Sequence, residues 1–450
     1  MVFMAANSDK SNPFEDDDWL RDAMSRFLKG EQSFDPNELL GAGAAELSPE
    51  KLMKIFEDFG RSFESGGGLR SGALENHALN VAKDGEKNYD DNTADEIDQA
   101  GSVAALWLDE ATDIPPLLNN PIIGARSDWV TTTLPVWQAM AEPVSTAIPR
   151  AISKMMSEQI PEEVGPLWEG LGSTIEQISK NLFAVQLAIT VGNLSREVLS
   201  GGDIGAPLVV GENEYDVKAF LIAQNMREFS NELDLPRDQA DIFLACREIA
   251  HARLFRHARW LRLEITSAIN AFASGISIDG DQIMQVAEDL DPSDAESMRK
   301  LLASGALLPE RTEDQRRALG RLETMLALIE GWVDHVSNIS CSRLPKVESL
   351  SEAVRRRRAS GGPGERAFST LVGLELRPRK LREAGRLWDA IYREFGAEVR
   401  DSIWSHPDQL PQAADLDEPE EFLRQINKPN DGDGLDKELR DLLESDQQEE

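Results

Sequence analysis

Cysteine is almost missing: Cys246 and Cys341 are the only two in 450 residues. That excludes a disulfide framework, a CxxC pair and a four-cysteine metal site. Both read as small apolar positions in a reducing compartment. Long apolar runs are missing too. No stretch approaches the roughly 20 residues that cross a bilayer. The start, MVFMAANSDKSNPFEDDD, has neither a basic n-region nor an apolar run, so no signal peptide is expected. Positive charge is scarce, with 47 basic residues against 81 acidic ones and a net charge of −34. Backbone phosphates and anionic lipids repel such a chain, so neither nucleic acid nor a membrane is an expected partner. The expected location is cytoplasmic.

What is present is helix. A hydrophobic fraction of 41% in a chain of this length supports a large core. Apolar residues recur at three- and four-residue spacing in SVAALWLDEAT, in STIEQISKNLFAVQLAITVGNLSREVL, in ADIFLACREIAHARLFRHARWLRLEITSAINAFA and in RRALGRLETMLALIEGWVDHVS. Among the short runs, APLVVG (206–211) suggests a strand. The predicted fold class is therefore mainly α.

Three regions follow. Residues 1–100 form a loosely organised, partly disordered arm, with short amphipathic helices around Trp19 to Leu28 and Leu52 to Phe63, a Gly66-Gly67-Gly68 run and the polar stretch KDGEKNYDDNTADE. Residues 101–405 form the helical domain, and residues 406–450 an acidic tail expected to be disordered.

The stretch LACREIAHARLFRH is one residue short of H-E-x-x-H, in which two histidines one turn apart hold zinc and the glutamate acts as general base. Glu248 and His251 keep their places, and Arg247 fills the first ligand position. At about 100° per residue, Leu244, Arg247, Glu248, His251 and Phe255 share one helix face, with Asp234 available to cap a helix that starts near Pro236. His257 lies roughly 120° from His251 if the helix is unbroken. In ALIEGWVDHVS, Glu330 and Asp334 are one turn apart, and His335 lies about 100° off their face.

These segments, with LAITVGNLSREVLSGGDIGAPL and RRRRASGGPGERAFSTLVGLELRPRKLREAGRLW, resemble the zincin-like metallopeptidase family of actinobacteria, whose members are called zinc-dependent metalloproteases or hydrolases. The resemblance runs from about Leu106 to Trp388. It implies a helical zincin-like core. It also implies Glu248 as general base, His251 and Glu330 as zinc ligands, and Asp334 as the acid that orients a ligand. The first ligand has no counterpart.

Magnitudes set expectations for the metal. A complete structural zinc site is worth about 10–16 kcal/mol, so losing one ligand of four removes roughly 3 kcal/mol, or about two decades of affinity. An arginine cannot shed its proton. At about 5 Å from a dication and an effective dielectric of about 20, it adds roughly 6–7 kcal/mol of repulsion. Zinc is thus expected to bind weakly or not at all, with Arg247 pairing Glu330 and Asp334 in the metal's place.

Three functions stay open. One is a non-catalytic relative that binds a peptide or protein partner in the former active-site cleft. Another is a hydrolase with a zinc site rebuilt from His251, Glu330 and either His257 or His335. The last is a metal-free carboxylate cluster of Glu248, Glu330 and Asp334 suited to acid/base work. The basic run from Arg355 to Arg358, with Arg366, Arg377, Arg379, Lys380, Arg382 and Arg386, either takes an anionic ligand or pairs with the protein's own acids.

Overall fold

A computed structural model describes residues 73–159, 180, 183–211, 216–276, 311–359, 362–372 and 380–427. The expected helices around Trp19 and Leu52, and the acidic end after residue 427, lie outside these residues. Among the described residues are twelve assigned helices and two three-residue strands. In chain order these are α1 (Ala73–Lys83), α2 (Asp91–Asp109), β1 (Ile122–Gly124), α3 (Arg126–Gln159), β2 (Phe220–Ile222), α4 (Ala223–Glu232), α5 (Arg237–His257) and α6 (Trp260–Ser274). They continue with α7 (Glu313–Ser340), α8 (Val347–Ala359), α9 (Pro363–Val372), α10 (Leu381–Ser402), α11 (Ala413–Asp417) and α12 (Pro419–Ile426). A further helical stretch covers 183–195. Among the described residues no helix is long and apolar enough to cross a membrane.

The axis of the core is α5. From Phe243 to Phe255 every residue of this helix is buried, charged ones included. Such a helix needs neighbours on all sides; α2, α4, α7 and α8 supply them. In turn α7 packs on α6 and α10. A capping box starts α7, with Gln315 N–H donating to Thr312 Oγ1 at 3.2 Å and Thr312 N–H to Gln315 Oε1 at 3.0 Å.

A polar pin ties α2's end to α7 and α10. Asp401 accepts from Thr112 Oγ1 (2.6 Å), Trp332 Nε1 (2.9 Å) and Arg400 Nε (2.7 Å), all buried. Beside it Trp404 meets Trp332 edge-on and stacks on Trp388.

The strands pair in parallel, Ile122 opposite Phe220 and Gly124 opposite Ile222. On β2's other side Ser200 bridges Leu221, which draws the 200–206 turn onto α5. The expected strand over 206–211 is reduced to a single bridge between Val210 and Val217.

Two local expectations differ from the structure. The long apolar pattern from Ala240 to Ala273 is two helices, because Ala258 leaves helical geometry at φ −90°, ψ 68°. Asp234 caps nothing. It adopts φ 50° in the tight turn after α4, and Pro236 stands at the N-terminus of α5 without a side-chain cap. Residue 101 lies within α2, and α1 already buries Ala78 and Ala82. Beyond residue 406, α11 and α12 bury Leu416 and Phe422.

Candidate functional site

Where α5 meets α7, Arg247 and His251 reach Glu330, and Arg247 also reaches Asp334. Glu248 turns to Gly202 and Phe220 instead of joining the two acids of α7. Arg247 opens its guanidinium fork across one turn of α7. Its Nη2 donates to Glu330 Oε2 at 3.1 Å and its Nη1 to Asp334 Oδ1 at 3.2 Å. His251 Nε2 lies 2.9 Å from Glu330 Oε1. An ionised carboxylate only accepts, so this contact assigns the proton to Nε2. Nδ1 is then the bare nitrogen, and it has no partner. The ring stacks on Phe255 one turn along.

Two further elements close over this pair. From α8, Arg358 also reaches Glu330 Oε1 through Nη1. Its Nη2 donates to Asp203 Oδ1 at 3.1 Å and to the Asp203 carbonyl at 3.0 Å. Arg357 takes the other Asp203 oxygen at 3.1 Å, where the Leu199 N–H also donates. The 200–206 turn lies directly on α5. Glu248 receives the Gly202 N–H on Oε2 and the Phe220 N–H on Oε1, both at 2.8 Å. A Cβ at Gly202 would sit 2.7 Å from His251 Cβ. Gly202→Ala is therefore expected to cost about 1–3 kcal/mol, the usual range for overpacking, read as a lower urea midpoint.

Burial and charge oppose each other at these groups. Burial raises the Glu330 carboxyl, but Arg358, His251 and Arg247 outweigh it and hold the pKa at about 2. Glu248 goes the other way. Burial lifts it to about 7 against the hydrogen bonds from Phe220, Ser200 and Gly202. Burial also lowers the His251 pKa, with Glu330 opposing, so the ring is held toward its neutral form.

Among the described residues little space remains at this point. A cavity of about 10 Å³, lined by Ser200, Asp203, Arg247, His251 and Arg358 among others, has room for about one water.

The two other candidate histidines are elsewhere. His257 is exposed at the last turn of α5, where it suits the helix dipole. His335 is buried against Tyr392, with Arg400 and Asp401 beside it. Arg377 and Arg379 lie outside the described residues, but Arg355 to Arg358 and Lys380 of the basic stretch pair with acids of this chain. Arg355 faces Asp334 at 3.5 Å, Arg356 pairs with Glu352, and Lys380 pairs with Asp417.

Asp203 was not singled out from the sequence, and Arg358 only as the end of the basic run, not as a member of this site. A face of α8 at helical spacing, Ser351, Arg355 and Arg358, is the available signal, since Arg356 between them points to solvent.

This donor set does not fit a zinc ion. Zinc needs ligand atoms with open lone pairs around one point. Here both Glu330 oxygens are engaged, His251 Nε2 is spent on Glu330, and two guanidiniums occupy the space between. Among the described residues no three His, Cys, Asp or Glu side chains form a group able to hold a metal.

Comparison with known proteins places this site in context. A search of curated proteins found no significant match. A crystal structure from Chloroflexus aurantiacus, provisionally described as a hydrolase with a novel fold, aligns with a TM-score of 0.54 at 16% identity. The alignment covers 80% of this chain and 99% of that one, a likeness of fold. A family profile described as zincin-like metallopeptidase, a family that usually binds zinc, matches residues 73–423. That match runs from the first residue of α1 into α12 and takes in Asp203, Arg247, Glu248, His251, Glu330 and Arg358. On that span the chain belongs to the zincin-like metallopeptidase family.

Proposed function

We propose that this chain is a non-catalytic member of the family, with a degenerate R-E-x-x-H site that binds zinc weakly or not at all, and that it acts by binding a peptide or protein partner over the former active-site cleft. One observation carries the reading: Arg247, in the first ligand position, is paired with both Glu330 and Asp334. The filled cleft supports it, since a cavity of about 10 Å³ beside His251 does not admit a peptide carbonyl. Glu248 supports it as well. A general base must reach the water it activates, and both of its oxygens accept backbone N–H groups. A rebuilt zinc site gains no support from His257 or His335, which stand in other environments.

The test is metal content by mass spectrometry on untagged protein, beside peptide hydrolysis with and without added zinc. The expected result is well under one zinc per chain and no metal-dependent turnover. Zinc near one per chain that disappears in His251→Ala, with turnover lost in Glu248→Ala, would overturn the proposal.

A further inference from the structure

We infer that Arg358 is the second half of a two-arginine stand-in for the metal: Arg247 and Arg358 together supply Glu330 with two positive charges, and Arg358 alone suffices to keep zinc out. This rests on the reading that the centre is metal-free, and it makes a separate claim about a residue outside the R-E-x-x-H helix.

The geometry divides Glu330 between the two cations. Arg247 holds Oε2, while Arg358 and His251 share Oε1. Arg358 is no surface side chain that strayed inward. Its side chain is 14% exposed and is fixed at its far end by Asp203, which accepts from it through both carboxylate and carbonyl. Asp203 is itself fixed by Arg357 and the Leu199 N–H. The anchor therefore belongs to the turn that closes the cleft.

Charge counting agrees. Asp203, Glu330 and Asp334 face Arg247, Arg355, Arg357 and Arg358, three carboxylates against four guanidiniums. The carboxylates are more than balanced without a metal. A dication would add two charges with no counter-ion, in a space for about one water. Replacing Arg247 by histidine would return a ligand nitrogen and free Glu330 Oε2, but leave the Arg358 guanidinium on Oε1 beside His251, where a dication would have to sit.

The consequence is non-additivity between two residues 111 positions apart in sequence (358 − 247). Zinc stoichiometry and affinity would be measured on the full-length parent, Arg247→His, Arg358→Gln and the double variant, with cobalt(II) absorption as a second readout. Expected are sub-stoichiometric zinc in the parent and both single variants, and about one zinc per chain in the double variant. Its affinity should be at least about 100-fold above that of Arg247→His. Cobalt should give the intense visible bands of a tetrahedral site in the double variant only.

Arg247→His binding zinc as tightly as the double variant would overturn the role of Arg358 and leave the metal-free reading intact. A folded double variant without zinc would overturn the stand-in altogether. Zinc in the parent, lost in His251→Ala, would instead remove the reading on which this inference rests. Should the double variant fail to fold, Arg247→His/Asp203→Asn loosens the anchor of Arg358. Its zinc affinity is expected to exceed that of Arg247→His by about 10-fold, and an unchanged affinity counts against the inference.

Discussion

Glu330→Gln is expected to destabilise the protein by about 5 kcal/mol, the upper end of the roughly 3–5 kcal/mol seen when one partner of a buried ion pair is removed. The substitution keeps the shape of the side chain and takes away the charge that Arg247, Arg358 and His251 share. It leaves two buried guanidiniums facing an amide. Arg247→Met is expected to cost less, about 3 kcal/mol, because Glu330 keeps Arg358 and His251, and Asp334 keeps Arg355 at 3.5 Å. For Glu330 itself, the shift of its carboxyl gives the lower end of that range of roughly 3–5 kcal/mol. A carboxyl at about 2 in the fold against 4.5 in the free chain corresponds to about 3 kcal/mol. The sign is fixed by which state binds more protons. Below 4.5 the unfolded chain takes up a proton that folded Glu330 refuses, so this stabilisation is complete above 4.5 and disappears as the pH falls toward 2. Urea unfolding at pH 7 and pH 3 measures both statements. Equal losses for Glu330→Gln and Arg247→Met would mean that Arg358 carries none of the carboxylate's charge.

The helical core is legible in the sequence because its elements are long and periodic. On α7 the spacing that puts Glu330 and Asp334 one turn apart and His335 off their face is a property of the helix alone, and the structure keeps those relations. The meeting of α5 and α7 is less local. Arg247 offers a fork and α7 offers two acids, so their pairing follows from chemistry once the helices are neighbours. Arg358 and Asp203 are another matter. One is the last of four arginines and the other a turn acid, and only the docking of α8 against the 200–206 turn selects them. The break at Ala258 was hidden as well, since no Gly or Pro marks it. Asp234 looked like a cap because position and residue type agree, but the chain spends that residue on the turn after α4. Near the ends, polar composition concealed helices with a narrow apolar stripe: α12 buries Phe422 amid acidic neighbours.

His335 leads to the second large effect, at a distance from the arginine cluster. Its ring lies edge-on to Tyr392 at 5.3 Å, and Nε2 is buried without a partner. Burial first, and then the charge of Arg400, push its pKa from 6.5 to about 3, with Asp401 offsetting part of the repulsion. Folded His335 therefore stays neutral while the unfolded chain binds a proton below 6.5. Stability is lost as the pH drops from 6.5 toward 3, by about 2 kcal/mol at pH 5 and about 4 kcal/mol near pH 3. Glu248 has the opposite slope. Its carboxyl, lifted to about 7, keeps a proton in the fold that the unfolded chain releases above 4.5, so its contribution fades as the pH rises from 4.5 to 7. The parent profile between pH 5 and 7 should thus be flattened by two groups on opposite sides of α7. Only a difference measurement separates them. His335→Phe keeps a ring for Tyr392 and removes the titration. Relative to the parent, it should gain about 2 kcal/mol in unfolding free energy between pH 7 and pH 5. A constant difference across that range would mean that His335 binds its proton as readily in the fold as in the free chain, through a hydrogen-bond partner for Nε2 such as a buried water beside Arg400.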